Sequence, residues 1–342
     1  MATRLGKRTL QLETRPRILA SAGVAGKREA QGPLGSRFDR IFDDTTLGEA
    51  SWEKAESKLL LSAAQCALNK AKLQPSDVQA AFAGDLQSQC TSAVFGLRSL
   101  GIPYCGIFGA CSTMAEGLLL AALAIESGGF SVTMAATSSH FCTAERQFRH
   151  PLEYGGQRTP TAQWTVTGAG AALLARQADA GAPYIDKVQL GTMVDLGVKD
   201  AGNMGAAMAP AAKKTIADFL HDTGTTPADY DLILTGDLCE VGSTLLCELM
   251  QREEGIDLSQ KQRDCGLLIF DREKQDVHAG GSGCGCSASV LCADICRALR
   301  EDTLQSVLFV ATGALMSAVS SKQGESIPGI AHAVLLKKGE PQ

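Results

Sequence analysis

Cys111 is the residue best placed in this sequence to do covalent chemistry. It lies in Gly109-Ala110-Cys111-Ser112, between an apolar segment ending near Phe108 and an apolar, Ala- and Leu-rich stretch that reaches Ser127. A strand followed by a helix would put the sulfur at a helix N-terminus, where the partial positive charge favours thiolate over thiol. Backbone N–H groups at the same place could stabilise an oxyanion. The pattern predicts a nucleophilic or ligand-contacting cysteine, with a small packed residue as the alternative.

Two aspartates and a glycine-rich turn are further candidates for a binding site. Asp85 and Asp237 each follow an apolar run, in Gly84-Asp85-Leu86 and Gly236-Asp237-Leu238. Ligands bind at such strand ends in parallel sheets, so both carboxylates are candidates for a ligand contact. Each aspartate could instead cap the helix that follows. Gly281 and Ser282, in Gly280-Gly281-Ser282-Gly283, could let a ligand approach the backbone, or could form a tight turn.

The segment 138–163 is long for a connection between strands, and long connections are often functional. Guanidinium groups suit carboxylates because they donate two parallel hydrogen bonds. Such groups are solvated on most loops, which is the alternative here. The cationic and imidazole side chains of this segment are His140, Arg146, Arg149, His150 and Arg158.

The segments that must position these residues occur twice. Pro75-Ser76-Asp77 and Pro227-Ala228-Asp229 each lead into an apolar run, and the offset between these copies equals that between Asp85 and Asp237. The predicted strands are 18–24, 78–83, 104–108, 130–137 and 165–175, then 184–194, 231–235, 265–270, 306–312 and 329–337. The predicted helices are 51–72, 88–100 and 112–127, then 205–221, 243–254 and 287–300. Strands that are apolar throughout and alternate with helices predict mainly parallel, helix-covered sheets.

This repetition predicts a duplicated α/β protein with an N-terminal half, residues 1–180, and a C-terminal half, residues 181–342. The period is far too long for a solenoid. The helix 112–127 is apolar almost all round, apart from Glu116, so it is expected between two sheets.

Composition indicates a folded globular protein. The 342 residues are 45% hydrophobic and 20% charged. A net charge of −5 without a long basic run argues against nucleic-acid binding. No signal sequence opens the chain, and no stretch approaches the roughly 18 to 20 apolar residues of a membrane span. We therefore expect synthesis in the cytoplasm. The basic N-terminal arm, from Arg4 to Arg17, could touch an anionic membrane or remain solvated.

The chain has twelve cysteines, which should be mostly reduced in that compartment. Cys284 and Cys286, with Cys292 and Cys296, could be read as a metal cluster. The paired C-x-x-C spacing of zinc knuckles is missing, and Cys292 and Cys296 lie one helical turn apart, as packed small hydrophobic residues would. No metal site is expected.

The doubled βαβαβαββ order, the Gly-Ala-Cys-Ser turn into a buried helix, and Thr167-Gly168-Ala169-Gly170-Ala171 in the last strand of the first half resemble the thiolase and ketoacyl synthase superfamily. More narrowly, nearly the whole chain resembles the SpoVAD family of sporulation proteins. The segments that carry this resemblance are 32–36 (GPLGS), 108–113 (FGACST), 136–140 (ATSSH), 143–149 (TAERQFR), 153–157 (EYGGQ), 207–212 (AMAPAA), 234–238 (LTGDL) and 279–284 (AGGSGC).

The resemblance implies a five-layered αβαβα, thiolase-like fold with a central pocket reached by Cys111. It implies binding of dipicolinic acid, or of its calcium chelate, for uptake into the developing spore. The partners it implies are the other SpoVA membrane proteins and a second copy of the chain in a homodimer. The expected location is peripheral, at the spore inner membrane.

Condensing enzymes of the superfamily pair their cysteine with a histidine and with either histidine or asparagine from the second half. Those positions fall here at Gly236-Asp237-Leu238-Cys239 and Gly280-Gly281-Ser282-Gly283-Cys284, which contain neither residue type. Without these groups a general base and oxyanion donors are missing, so no catalytic residue is expected. His278 is a weak candidate for a replacement partner. Two alternatives remain open: an acyltransferase similar to ketoacyl synthase III and acylated on Cys111, and a scaffold subunit whose pocket is vestigial.

Overall fold

The element order is that of a duplicated α/β protein, in a computed structural model that describes residues 1–149 and 157–340. The strands are β1 (Thr3–Leu5), β2 (Thr9–Gln11), β3 (Arg17–Gly26), β4 (Arg40–Phe42), β5 (Ala80–Gly84), β6 (Tyr104–Gly106), β7 (Val132–Ser139), β8 (Trp164–Thr165), β9 (Gly168–Ala175), β10 (Tyr184–Gln189), β11 (Leu232–Thr235), β12 (Gln262–Asp264), β13 (Gly281–Ser282), β14 (Ser306–Ala314) and β15 (Gly329–Lys337). The helices are α1 (Lys27–Ala30), α2 (Trp52–Ala71), α3 (Thr91–Leu97), α4 (Thr113–Glu126), α5 (Phe141–Phe148), α6 (Met204–Thr223), α7 (Cys239–Glu254), α8 (Cys265–Leu268), α9 (Cys284–Val290), α10 (Cys296–Arg300) and α11 (Ala318–Lys322).

The two halves contribute half-sheets with the same strand order. The first runs β3-β9-β7-β5-β6 and the second β10-β15-β14-β11-β12. In each, the last strand of the half is antiparallel to its two neighbours and the remaining pairs are parallel. A single residue pair, Tyr184 with Arg17, connects the half-sheets. The repeated order agrees with the duplication seen in the sequence, while the division of the chain at residue 180 stays a prediction.

Helices cover both faces of each half-sheet. On the outer faces, α2 packs on β3, β7 and β9, and α6 packs on β14 and β15. Between the half-sheets, α4 contacts β5 and β7 of its own half together with β14 and β15 of the other, and α9 packs on β3, β7 and β9. The sequence of layers is therefore αβαβα. The expectation that the apolar segment 112–127 lies between two sheets is confirmed.

The repeated Pro-x-Asp segments are two copies of one turn. Pro75–Asp77 and Pro227–Asp229 are both short 3-10 turns that precede β5 and β11. The Asp77 carboxylate accepts the N–H of Gln74 at 2.7 Å, and Asp229 accepts that of Thr226 at 2.8 Å. Each aspartate thus closes a capping box, which accounts for its recurrence.

Several predicted elements are wrong in detail. The segment 265–270 was expected to be a strand, but β12 ends at Asp264 and α8 begins at Cys265. The cause is the Asp264 side chain, which accepts the N–H of Gly266 at 3.0 Å and so caps a helix. The expected strand 165–175 is divided, because β8 leaves the large sheet and pairs with β13.

Two segments for which no helix or strand was predicted contain such elements among their described residues. The N-terminal arm forms β1 and β2, and the Asp222 carboxylate accepts backbone N–H groups from Lys7, Arg8 and Thr9 at 2.8–3.0 Å. The arm is therefore folded onto the second half. The segment 138–163 contains α5. Among the described helices, none combines the length and apolar character needed to cross a membrane.

Candidate functional site

Cys111 lies in a tight turn at the start of α4. Ala110 adopts a left-handed backbone conformation, with φ of 50°, and the N–H of Ser112 donates to the Gly109 carbonyl at 3.0 Å. The thiol is 5% exposed. Gly313 of β14 packs closely against this turn. A Cβ added at Gly313 would lie 2.3 Å from the Gly109 carbonyl oxygen. The predicted place of Cys111, at the N-terminus of the buried helix, is the observed one.

The partner of Cys111 is the carboxyl group of Asp237, which follows β11 and is fully buried. One carboxyl oxygen accepts the Thr312 hydroxyl at 3.0 Å. The other accepts the Ser282 hydroxyl at 3.1 Å and the Gly283 N–H at 2.9 Å. The carboxyl group also lies close enough to Cys111 for its charge to act on the thiol. Hydrogen-bond donors from two separate segments thus hold Asp237.

This arrangement keeps the thiol protonated. Burial raises the pKa of Cys111 well above its ordinary value, and the charge and hydrogen bond of Asp237 raise this pKa further. An imidazolium would lower the pKa of the thiol; a carboxylate does the opposite, because a thiolate beside it would be a second negative charge. Burial and the nearby carboxyl group therefore both favour the neutral thiol of Cys111.

Asp85, the counterpart of Asp237 in the first half, has a different role. Its carboxyl oxygens accept the N–H groups of Gln87 and Ala93, both at 2.7 Å, and so cap α3. In the second half the equivalent cap on α7 comes from Asp264, which accepts the N–H groups of Leu238 and Cys239 at 2.9 Å. Burial raises the pKa of Asp264 to about 7. Because Asp264 caps α7, Asp237 is left to contact Cys111.

A narrow pocket of about 30 Å³ opens above Cys111. This volume holds a water molecule but no aromatic ligand. Its polar lining is Cys111, Arg149, Thr165 and Ser282, and its apolar lining includes Leu86, Phe108, Ala144, Phe148, Met204 and Met316. The wall formed by α5 leads into 150–156, which lies outside the described residues together with the candidate His150 and the sequence motif at 153–156.

Of the other predicted site residues, the structure brings Arg149 and Ser282 to this pocket. The Arg149 guanidinium pairs with Glu145 and approaches the Thr165 hydroxyl at 3.4 Å. Arg146 instead pairs with Glu53 and lies over the Trp52 ring. Gly281 packs against Ile269, where an added Cβ would lie 2.7 Å from its side chain.

None of the histidines at described positions contacts the Cys111 sulfur. His278 lies in a turn, with φ of 52°, and its Nε2 is 3.1 Å from the Asp276 carboxylate. The ring of His140 caps α5 by accepting the N–H of Cys142 at 3.1 Å, and its Nε2 lies 2.8 Å from the Thr45 carbonyl oxygen. His140 lines a different cavity. The described residues also include no group of three or more histidine, cysteine or acidic side chains arranged to hold a metal ion.

Comparisons with known proteins show the family. The family model described as stage V sporulation protein AD matches residues 6–337. The stage V sporulation protein AD of Bacillus subtilis (strain 168) is 45% identical over 334 residues, which are 97% of each chain. The chain belongs to the SpoVAD family. It is thus a sporulation protein, as the sequence resemblance indicated.

Solved structures similar to this member of the SpoVAD family are condensing enzymes. AbyA1, a tetronic acid condensing enzyme, has a TM-score of 0.59 at 18% identity and covers 94% of this chain and 99% of its own. OleA of Xanthomonas campestris, in a single-substitution variant, has a TM-score of 0.62 at 14% identity, covering 95% and 97%. The 3-oxoacyl-[acyl-carrier-protein] synthase III of Aquifex aeolicus VF5 has a TM-score of 0.56 at 15% identity, covering 94% and 99%. At these identities the likeness shows the fold alone, and the predicted thiolase-like fold is confirmed.

A further buried carboxyl group, Glu56 on α2, was missed in the sequence. It accepts the Gln87 amide at 2.9 Å, the Thr143 hydroxyl at 2.5 Å and the Ser138 hydroxyl at 3.3 Å. Burial raises the pKa of Glu56, and the nearby Asp85 raises it further. The sequence offers one sign that Glu56 is buried: it is a charged residue on the face of α2 that otherwise carries mainly alanines and leucines.

The raised pKa of Glu56 predicts a pH-dependent stability. The folded protein holds this proton at a pH where the unfolded chain, with a glutamate pKa of about 4.3, has lost it. The stabilisation from this proton is complete below the unfolded-state pKa of about 4.3. It falls by about 1.4 kcal/mol per pH unit as the pH rises from there to the folded-state pKa. We expect Glu56→Gln to make the curve of unfolding free energy against pH less steep between about pH 4.3 and the folded-state pKa of about 8, as measured by denaturant titration. Other buried acids such as Asp264 keep part of the slope in both proteins. Parallel curves for the two proteins would contradict this assignment.

Proposed function

We propose that this protein is a non-enzymatic receptor for dipicolinic acid, free or as its calcium chelate, during uptake into the developing spore. The observation that carries the non-enzymatic part is the buried Asp237 carboxyl group beside Cys111, at the position where a condensing enzyme needs an imidazole or amide. The ligand is the one that membership of the SpoVAD family suggests. The partners proposed are the other SpoVA membrane proteins, with the chain peripheral to the spore inner membrane.

The proposed ligand chamber is the pocket above Cys111. Arg149 is its only cation among the described lining residues, and a guanidinium can pair with one carboxylate of the ligand through two hydrogen bonds. The pocket is too narrow for a pyridine ring unless α5 moves away from Met204 and Met316. Ser282 and Thr165 then offer hydroxyl groups. Calcium, where it takes part, would arrive with the ligand.

Replacing Arg149 tests this chamber. We expect Arg149→Gln to weaken binding of dipicolinate by about tenfold or more, since a charge-assisted hydrogen bond contributes about 1.5–3 kcal/mol. Isothermal titration calorimetry with and without calcium measures the loss. Arg146→Gln is the matched control, because Arg146 lies on the same helix and is paired with Glu53 away from the pocket. Equal affinities for the Arg149 variant and the parent would move the site elsewhere, and no binding by the parent would refute the function.

The condensing-enzyme alternative is favoured only by the place of Cys111 at the N-terminus of α4 and by the shared fold. Incubation with acyl-CoA followed by intact mass measurement separates the two. An acyl adduct on Cys111 would favour transfer chemistry; no adduct together with saturable dipicolinate binding supports the receptor. If neither ligand binds but purified SpoVA membrane proteins do, the scaffold alternative stands.

The proposed homodimer has a suitable surface at the edge of the first half-sheet. Strand β6 is exposed along its whole length and has no neighbour on its outer side among the described strands. Two large apolar side chains in or next to this strand are exposed, Tyr104 at 39% and Phe108 at 46%. An unpaired apolar edge of this kind is suited to pairing with a second copy. Phe108 also lines the Cys111 pocket, so a partner at this edge would lie beside its mouth.

A further inference from the structure

Two arginines share one aromatic ring outside the Cys111 pocket. The guanidinium carbon of Arg28 lies 3.9 Å from the centroid of the Trp164 ring, and that of Arg158 lies 4.6 Å from it. The ring of Phe141 stacks on Trp164, with centroids 3.9 Å apart and planes inclined by 15°. Burial and then the charge of Arg158 lower the pKa of Arg28. The cluster therefore concentrates positive charge on an aromatic stack.

The positive charge of this cluster is incompletely balanced. The Asp276 side chain is 78% exposed, and its carboxylate pairs with Arg158 at 3.0 Å and with His278 at 3.1 Å. The Asp276 carbonyl oxygen also accepts hydrogen bonds from Arg28 at 2.6 Å and from Arg158 at 3.0 Å. Glu29 is buried with its pKa raised by burial to about 7, and it accepts the N–H of Thr167 at 2.9 Å. Burial therefore favours the neutral form of Glu29.

Each arginine also keeps an unused donor. Arg28 Nε and Arg158 Nη1 are shielded from solvent and have no hydrogen-bond partner among the described residues. A buried donor without a partner raises the free energy of the protein. A ligand acceptor that reaches both guanidiniums removes this cost, so it binds more favourably than it would to a solvated arginine. A carboxylate, with two oxygens and a matching planar shape, is that acceptor.

A cavity of about 330 Å³ lies beside the stack. Its lining includes Arg28, Lys27, Trp164 and Phe141, together with His140, Thr45 and the acidic side chains of Glu29 and Asp44. This volume is in the range of small-ligand sites. Trp164 and Thr165 are neighbours in β8, and alternate residues of a strand point to opposite faces, so this cavity and the Cys111 pocket lie on opposite faces of one short ribbon.

We propose that this cavity is a second binding site, specific for a planar aromatic carboxylate. The carboxylate draws the two guanidiniums from the Trp164 ring and takes their unused N–H groups, while the ligand ring packs against Phe141 and the indole. The site goes beyond the proposed receptor function, because it uses none of the residues that line the Cys111 pocket.

Trp164 reports directly on this site. The chain has two tryptophans, so Trp52→Phe leaves Trp164 as the only indole emitter. In that background we expect pyridine-2-carboxylate to change Trp164 emission saturably, and cyclohexanecarboxylate, which has the charge but no flat ring, to bind at least about tenfold more weakly. Arg28→Gln and Arg158→Gln should each weaken the planar probe by about tenfold or more, through loss of a charge-assisted bond.

Arg146→Gln is the matched control, since Arg146 also lies over an aromatic side chain but is paired with Glu53. We expect it, like Arg149→Gln, to leave the Trp164 response unchanged. The two arginines belong to different segments, so misfolding of one variant does not remove the test. The proposal is overturned if planar carboxylates leave Trp164 emission unchanged, or if both arginine variants bind like the parent. If Arg149→Gln abolished the Trp164 emission change, the cavity would not be a site separate from the Cys111 pocket. If Arg149→Gln alone abolished dipicolinate binding, the receptor proposal would stand whatever the outcome at Trp164.

Discussion

Replacing Asp237 by asparagine is expected to make Cys111 more reactive toward alkylation at neutral pH. Burial raises the pKa of this thiol most, and the Asp237 carboxyl raises it next. Asparagine removes the negative charge and keeps a side chain of similar shape, so the thiolate fraction should rise about tenfold for each unit by which the pKa falls. The rate of iodoacetamide labelling, followed by mass spectrometry of the Cys111 peptide against half-buried Cys66, measures this change.

The fold supplies a matched control for that experiment. Asp85 lies at the equivalent strand end in the first half, is equally buried, and caps α3 without contacting Cys111. We therefore expect Asp85→Asn to leave the Cys111 to Cys66 labelling ratio near that of the parent. If the Asp237 variant also labels like the parent at every pH, the carboxyl does not control the thiol.

The second large effect is expected at Gly313 of β14. An alanine Cβ there would lie 2.3 Å from the Gly109 carbonyl oxygen and 3.3 Å from the Cys111 N–H nitrogen. Because both are backbone atoms in a buried turn, the turn must shift, and overpacking of this kind costs about 1–3 kcal/mol. Gly313→Ala should lower the free energy of unfolding by that amount, measured by urea titration.

Gly129 provides the comparison for that substitution. It lies in a surface turn, where an added Cβ meets only the Ser127 hydroxyl at 3.5 Å. Gly129→Ala should change the free energy of unfolding by less than about 0.5 kcal/mol. Equal stabilities of the two alanine variants would show that β14 does not press on the Cys111 turn.

The fold could be predicted from the sequence where the signals are local and repeated. Apolar runs between helical segments predicted the order of strands along the chain. The two Pro-x-Asp turns marked equivalent positions in the two halves, because a capping box depends on residues only three apart. The start of α5 was missed because its cap is His140, a residue type that seldom caps helices, within a polar segment. The strand predicted at 265–270 was wrong because the Asp264 side chain decides that a helix begins there.

The candidate site could be predicted only in part. The place of Cys111 follows from its own segment. The contact with Asp237 depends on Thr312 and Gly283, which three-dimensional packing alone brings together. Arg146 and Arg149 look equivalent in the sequence. Arg146 pairs with Glu53 of α2, whereas Arg149 pairs with Glu145 of its own helix and lines the pocket. The unequal roles of Asp85 and Asp237 also depend on a residue distant in sequence. Asp85 caps the helix after it, whereas Asp264 caps the helix after Asp237, and no pattern in the sequence indicated this exchange.

The central claim, that a buried carboxyl group holds Cys111 as a neutral thiol, is tested most directly by the pH dependence of its alkylation in the unmodified protein. Because the rate follows the thiolate fraction, its midpoint reports the pKa of the thiol independently of how easily the reagent enters. We expect the rate to keep rising beyond pH 9.0, the ordinary pKa of a cysteine, without reaching a plateau. A plateau with its midpoint below neutral pH would reveal an activated thiolate and contradict the account.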